Sequence, residues 1–235
     1  MAWIFGSLGG AACASVLARR FGHEVLVALV VAATITANVL AVKVIRMFGV
    51  LVPAGVVVYS ITFLLTDALS EFYGRREAAQ AVGLGFLGNL FYLVSLWVVL
   101  RWPHGLDASA GQQFSAVMGL SVRVTFASLV AYLFSQFHDV LAYHFWGTRT
   151  RGRHLWLRNN ASTIVSQAID TTIFITIAFW GILPIGSLIL GQFAVKLVIA
   201  LMDTPFLYAM RMWVFGVPEY HVFAKAFDTK TRGDT

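Results

Sequence analysis

Five acidic residues lie within or at the edge of long apolar stretches of the chain: Asp67, Glu71, Asp139, Asp170 and Asp203. An acidic residue at the centre of a bilayer costs roughly 2.5–3.5 kcal/mol, so five facing lipid would cost on the order of 12 kcal/mol. We therefore expect these carboxyl groups to face the interior of a helical bundle or the rim of a wet cavity. There a carboxylate can accept hydrogen bonds from the N–H groups of a polar ligand or pair with a cationic substituent.

The pattern S-Q-x-x-D occurs twice, ending at Asp139 and at Asp170. In each copy the glutamine three residues earlier, Gln136 or Gln167, shares a helix face with the aspartate. Asn160 lies seven residues before Gln167 and extends the same helix face by two further turns. The two copies predict an amide and a carboxylate facing inward from successive helices. The same groups would also serve to join the helices, because interhelical hydrogen bonds of this kind contribute about 0.6–2 kcal/mol.

Other polar residues also occur at helical spacing within apolar stretches. Asp67 and Glu71 are four residues apart and share one face. The alternative for these two is that they mark the inner end of a helix and are neutralised by the arginines that follow. Lys196 and Asp203 are seven residues apart, which predicts a coupling or structural polar pair on one helix. Asn38 lies near the end of an earlier apolar stretch.

This combination of side chains suits a small, flat, polar heterocycle. A carboxylate accepts two N–H donors from a guanine-like edge, an amide complements a carbonyl, and an aromatic ring stacks on the face. Sugars, lipids and simple ions fit the composition less specifically. The sequence contains no phosphate-binding G-x-x-x-x-G-K-[ST] string, no H-E-x-x-H string and a single cysteine. We therefore expect no catalytic residues, no metal site and no cofactor, and the chain is predicted not to be an enzyme.

Composition indicates the elements that must position these residues. Of the 235 residues, 59% are hydrophobic and only 12% are charged, whereas about 25% are charged in a soluble domain. The chain is therefore predicted to be an all-α polytopic membrane bundle whose partners include the lipid bilayer. Six apolar stretches are long enough to span it, at roughly 25–46, 53–70, 78–100, 120–143, 160–181 and 185–210. Residues 1–24 form an apolar extension with a doubtful seventh helix, 25–213 the six-span domain and 214–235 a short tail.

Basic residues are distributed unevenly between the loops. Twelve of the 17 lysines and arginines fall on one predicted side of the membrane, three fall on the other, and two lie inside spans. Cytoplasmic loops carry the excess of positive charge, so both ends of the six-span core are predicted to be cytoplasmic. This distribution also accounts for the net charge of +6 without a nucleic-acid partner. The sequence is compatible with a homo-oligomer.

Several strings together resemble the queuosine precursor transporter family, a branch of the vitamin uptake transporters. T-D-x-x-x-E-x-Y-G begins at Thr66, and L-W-L-R-N-N begins at Leu155. The latter is followed by S-Q-x-x-D-T from Ser166. Two shorter strings, N-x-x-x-x-K from Asn38 and P-A-G from Pro53, add to the resemblance.

The resemblance implies a bacterial inner-membrane importer of the 7-deazaguanine precursors of queuosine, in the cyano and aminomethyl forms. It also implies a six-span bundle related to the substrate-binding subunits of energy-coupling-factor transporters. With the interior polarity, it leads us to expect eight residues to contact substrate or gate its path: Asn38, Asp67, Glu71, Gln136, Asp139, Asn160, Gln167 and Asp170.

Two hypotheses for the energy source follow. In the first, the chain is a self-sufficient secondary carrier that works by alternating access. In the second, it is the binding subunit of an ATP-driven transporter and needs a separate energising module. The second hypothesis would use the small-residue seam of Ala33, Ala37 and Ala41 as the docking surface for that module.

Overall fold

A computed structural model describes residues 2–103, 105, 108–150, 155–182 and 184–215. Within these ranges the chain forms seven α-helices and one two-stranded hairpin. The elements, in chain order, are α1 (Ala2–Phe21), α2 (Glu24–Ala41), β1 (Val44–Met47), β2 (Val50–Pro53), α3 (Val56–Phe72), α4 (Arg75–Val99), α5 (Ala108–Arg149), α6 (Leu155–Phe179) and α7 (Ile185–Ala209). A π-helical segment, Met210–Phe215, continues α7.

The helical membrane bundle predicted from composition is confirmed. Helices α2 to α7 correspond to the six predicted spans, and five helices among the described residues are long and apolar enough to cross a membrane. The exception in this group is α3, which has 17 residues and is surrounded by α1, α2, α4, α5 and α7. Helix α5 has 42 residues and is about 63 Å long, so the predicted span at 120–143 covers only its middle.

The predicted N-terminal extension contains α1, a 20-residue helix that packs against α2, α3 and α7. Its buried face consists of small residues, Ala11, Ala14, Ser15 and Ala18, which allow close helix approach. The Ser15 hydroxyl contacts the sulfur of Met210 at 2.7 Å. The predicted tail lies almost wholly outside the described residues, which end at 215.

The first predicted span is too long, because α2 ends at Ala41 and the chain then forms a β-hairpin. Strands β1 and β2 pair antiparallel, with Val44 opposite Pro53 and Met47 opposite Val50. Both residues of the connecting turn, 48 and 49, have positive φ angles, as a two-residue hairpin turn of type I′ requires. A phenylalanine at the first turn position is not a usual turn signal. The apolar segment after Ala41 therefore predicts a continuation of the helix.

The hairpin leads into the start of α3, which lies very close to α2. A β-carbon at Gly55 would overlap the backbone carbonyl oxygen of Ala37, so only glycine permits this approach. Ala37 and Ala41 are buried inside the protein at 3% and 7% exposure. Ala37 is thus covered by the chain before α3 and Ala41 packs among apolar residues of α5, α6 and α7, so these two alanines are not available as a docking surface for a second protein.

The short connections make successive helices antiparallel and give the bundle two distinct ends. We call the end that carries β1 and β2 the hairpin end. The opposite end is the arginine end, because it carries Arg19, Arg20, Arg75, Arg76 and Arg149. Near the hairpin end, Arg123 of α5 donates hydrogen bonds of 2.9 Å to the carbonyl oxygens of Ile177 and Trp180. These bonds satisfy carbonyl groups that a helix end leaves unpaired.

Candidate functional site

A cavity with about 350 Å³ of empty space, partly open to the surface, lies in the hairpin half of the bundle. It is formed by α2, α3, α5, α6 and α7, and Pro53 and Gly55 from the end of the hairpin contribute to its wall. Its polar and aromatic lining consists of Asn38, Tyr59, Ser128, Asp170, Phe174, Gln192 and Lys196.

The carboxylate of Asp170 is the centre of the hydrogen-bond network in the cavity wall. Its Oδ1 accepts hydrogen bonds from the Tyr59 hydroxyl at 2.6 Å and from the Ser135 hydroxyl at 3.1 Å. Its Oδ2 forms an ion pair with Lys196. The Lys196 ammonium also lies 5.0 Å from the centroid of the Tyr59 ring, a cation–π distance. Asp170 and Lys196 are 3% and 1% exposed, so the pair is withdrawn from water.

Two amides contribute to the cavity wall from opposite sides. Asn38 of α2 donates to the side-chain oxygen of Asn89 on α4, and Asn89 donates to the carbonyl oxygen of Gly85 at 2.8 Å. On α7, Gln192 lies one turn before Lys196 and is 3% exposed. Its Oε1 accepts no hydrogen bond from any residue that the structure describes. The cavity wall therefore contains one amide, Asn38, that donates to a neighbouring side chain and one, Gln192, whose oxygen has no donor among the described residues.

A second polar group lies in the arginine half of the bundle. Asp67, Asp139 and Asp203, from α3, α5 and α7, are each at most 1% exposed, and both Asp139 and Asp203 interact electrostatically with Asp67. Thr163 of α6 donates a 3.2 Å hydrogen bond to Asp67 Oδ2. The Asp139 carboxylate lies near the hydroxyl of Ser166. This second group brings side chains of four helices together at one level.

Closer to the arginine end, an ion pair joins α3 to the end of α7. Arg211 Nη1 lies 3.2 Å from Glu71 Oε1, and the Tyr143 hydroxyl donates a 3.2 Å hydrogen bond to Glu71 Oε2. Glu71 and Arg211 are 2% and 4% exposed. We call this arrangement the inner clasp. It fixes α3, α5 and the π-helical segment together beneath the second polar group.

Two of the three remaining predicted amides, Gln136 and Asn160, join helices, and none of the three lines the cavity. Gln136 donates to the Thr62 hydroxyl at 3.1 Å and accepts from Thr66 at 3.4 Å, which ties α5 to α3. Asn160 donates to the Thr204 hydroxyl at 2.9 Å, which ties α6 to α7. Gln167 is 1% exposed and is not among the residues that line the cavity.

The structure therefore divides the eight predicted substrate residues into separate groups. Asn38 and Asp170 line the cavity. The others lie deeper in the bundle or near the arginine end, and their contact with substrate stays a prediction. Tyr59, Phe174 and Gln192 line the cavity but were not predicted as site residues. Gln192 could have been found from its spacing of four residues before Lys196, whereas the two aromatic residues resemble ordinary core positions.

The structure gives Lys196 an ion-pair partner other than Asp203, and a coupling role for these two residues stays a prediction. Lys196 pairs with Asp170 on the neighbouring helix, and Asp203 lies with Asp67. Seven residues of helix separate Lys196 from Asp203 by about 10 Å along the axis, so a direct contact between their charged groups is not favoured. A shared face therefore predicted the common orientation of these residues but not their partners.

Comparison with known proteins agrees with this architecture. The chain matches the family described as "Putative vitamin uptake transporter" over residues 53–210, a range that includes Asp170, Lys196 and the second polar group but not Asn38. It is 35% identical over 219 residues to the "Probable queuosine precursor transporter" of Bacillus subtilis (strain 168), and the alignment covers 90% of this chain and 94% of that protein. No solved structure matches the chain. This multi-pass membrane protein therefore belongs to the vitamin uptake transporter family.

Proposed function

We propose that this protein imports the cyano and aminomethyl 7-deazaguanine precursors of queuosine across the bacterial inner membrane, for use in tRNA modification. The observation that carries the proposal is the 35% identity to a relative named as a queuosine precursor transporter, which extends over 90% of the chain. A relation of this extent includes every helix that lines the cavity.

The lining of the cavity supports a base of this kind. Tyr59 and Phe174 offer aromatic faces, on which a flat heterocycle can stack. Asp170 and Gln192 offer oxygen acceptors for N–H donors. Substrate recognition is thus assigned to the hairpin half of the bundle.

The orientation follows from the distribution of charge. The arginine end carries the basic residues, and positive loops face the cytoplasm. In this orientation the cavity lies in the outer half of the bundle and the inner clasp lies toward the cytoplasmic side. Import then requires the ion pair between Glu71 and Arg211 to separate while the hairpin end closes, which is alternating access.

We propose further that the chain works as a self-sufficient secondary carrier. Two alanines of the seam that would be the docking surface for an energising module are buried within the chain, Ala37 by the contact of Gly55 and Ala41 among apolar residues of α5, α6 and α7. With two of its three alanines buried, the seam offers no site for a module. No other surface of the described residues carries a specific argument for such a partner.

The test uses bacteria that cannot synthesise queuosine precursors and lack an importer for them. The chain is expressed alone, nanomolar 7-cyano-7-deazaguanine is supplied, and queuosine in tRNA is measured by mass spectrometry. We expect modification to be restored. Absence of modification with the protein present in the membrane would contradict a self-sufficient importer of this base.

A matched pair of variants on α2 tests the assignment of the cavity. Ala41→Phe places a ring in the cavity, which Ala41 lines, and we expect import to be lost. Ala32→Phe adds the same ring at an exposed position of the same helix, where it faces lipid, and we expect import to be retained. Equal import by the two variants, at equal membrane abundance, would show that substrate does not use this cavity.

A further inference from the structure

The side chain of Gln192 is a buried amide whose carbonyl oxygen has no donor. It is 3% exposed, it lines the cavity, and Oε1 accepts no hydrogen bond from the described residues. Buried carbonyl oxygens are nearly always paired in proteins, because leaving one unpaired is unfavourable. An unpaired acceptor on a side chain that lines a cavity is therefore a place where a ligand N–H would be stabilised.

The neighbouring acceptor, Asp170, is already largely occupied. Its four lone-pair positions receive two donors at Oδ1, from Tyr59 and Ser135, and one at Oδ2, from Lys196. One position at Oδ2 remains. Asp170 therefore cannot accept two N–H groups from one edge of a base unless a protein donor leaves. A ligand with two adjacent donors needs a second acceptor in the cavity.

We propose that Gln192 is that second acceptor and determines the specificity of the cavity. Its Oε1 accepts one N–H of a flat heterocyclic base while Asp170 Oδ2 accepts the adjacent one. The ligand class selected is a base with two N–H donors on one edge, as in guanine, over a base with a single donor there, as in hypoxanthine. The inference rests on the proposed function and adds to it the residue that reads the amino group.

The experiment measures binding to the purified full-length protein by calorimetry. The two ligands are 7-cyano-7-deazaguanine and the analogue that lacks the exocyclic amino group, 7-cyano-7-deazahypoxanthine. We expect the wild-type protein to bind the amino form about 10- to 100-fold more tightly, because one hydrogen bond to a buried acceptor is lost with the analogue. Wild-type protein that binds both ligands equally would overturn the proposal without any variant.

The decisive variant is Gln192→Met, which keeps the length of the side chain and removes the acceptor. We expect it to bind the two ligands with equal affinity, at the level of the weaker ligand in the wild type. Thr125→Val is the matched control, because Thr125 is a buried residue with an unpartnered hydroxyl outside the cavity lining. It should keep the full preference for the amino form.

The outcomes separate this inference from the proposed function. If the wild-type protein binds neither of the two ligands, the proposed function fails and the role of Gln192 fails with it. If the wild type prefers the amino form and Gln192→Met keeps that preference, the proposed function stands and the inference is wrong. A Gln192→Leu variant gives the same reading if the methionine variant does not fold, with thermal unfolding as the check.

Discussion

The ion pair of Asp170 and Lys196 gives the sharpest prediction about stability. Asp170→Asn keeps the shape of the side chain and an acceptor for Tyr59 and Ser135, but it leaves the ammonium of Lys196 buried without a countercharge. Breaking a buried pair by removing one partner costs about 3–5 kcal/mol. We expect the free energy of unfolding of Asp170→Asn to fall by this amount.

The reverse substitution, Lys196→Met, should be less harmful. The carboxylate of Asp170 keeps two hydrogen bonds at Oδ1, whereas Lys196 makes its one charged contact in the described residues with Asp170. The double variant removes both charges, and replacing a buried pair by uncharged groups of similar volume is often neutral or stabilising. We expect the free energy of unfolding of the double variant to lie within about 1 kcal/mol of the wild-type value.

Equilibrium unfolding in detergent with increasing dodecyl sulfate compares the stabilities of the wild type, the two single variants and the double variant. The reasoning is refuted if Asp170→Asn is as stable as the wild type, or if Lys196→Met is the more damaged single variant. The double variant also separates structure from recognition in the tRNA assay. A stable double variant that no longer imports indicates that Asp170 or Lys196 contacts the base, since both line the cavity, whereas normal import by it excludes that role for both.

Two further predictions concern packing and the inner clasp. Glu71→Ala leaves Arg211 buried without its carboxylate and should lower the free energy of unfolding by about 3–5 kcal/mol. Exchanging the two residues restores opposite charges and should recover part of this loss in the same detergent assay. No recovery would mean that the charges do not stabilise the inner clasp. Gly85→Ala places a β-carbon against the buried Tyr132 hydroxyl and should destabilise by roughly 1–3 kcal/mol. Gly83 lies in open space on the same helix, so Gly83→Ala should stabilise the protein by about 0.5–1 kcal/mol. Similar thermal unfolding midpoints for the two glycine variants would contradict the close packing of α4 on α5 at Gly85.

The spans could be predicted because apolar length is a property of a continuous stretch of sequence. The hairpin could not, because Val44 to Pro53 is as apolar as the helix before it and its turn begins with Phe48. The backbone of this segment pairs with itself, so no pattern of polar residues marks the change from helix to strand. The error matters for the site, since the hairpin leads into Gly55 at the cavity wall.

The sequence could also predict which polar residues face the interior of the bundle, whereas it could not predict their partners on other helices. Helical spacing indicates which residues share a face, and every acid predicted to face inward is buried. Spacing contains no information on which helix lies opposite, so Lys196 was paired within its own helix and its true partner on α6 was missed. Gln192 was missed because it belongs to neither S-Q-x-x-D string, although it lines the cavity with an oxygen that has no partner among the described residues.

The repeated S-Q-x-x-D string shows why equal motifs acquire different environments. Helices α5 and α6 are antiparallel neighbours, so the step from glutamine to aspartate runs toward the arginine end in α5 and toward the hairpin end in α6. Asp139 therefore joins Asp67 in the second polar group, and Asp170 reaches the cavity, while Gln136 and Gln167 remain between them. One short pattern thus supplies a carboxylate to each half of the bundle. If the protein imports by alternating access, as proposed, the two aspartates belong to opposite sides of the barrier, and a substitution at Asp139 should impair transport without changing the affinity measured at the outer cavity.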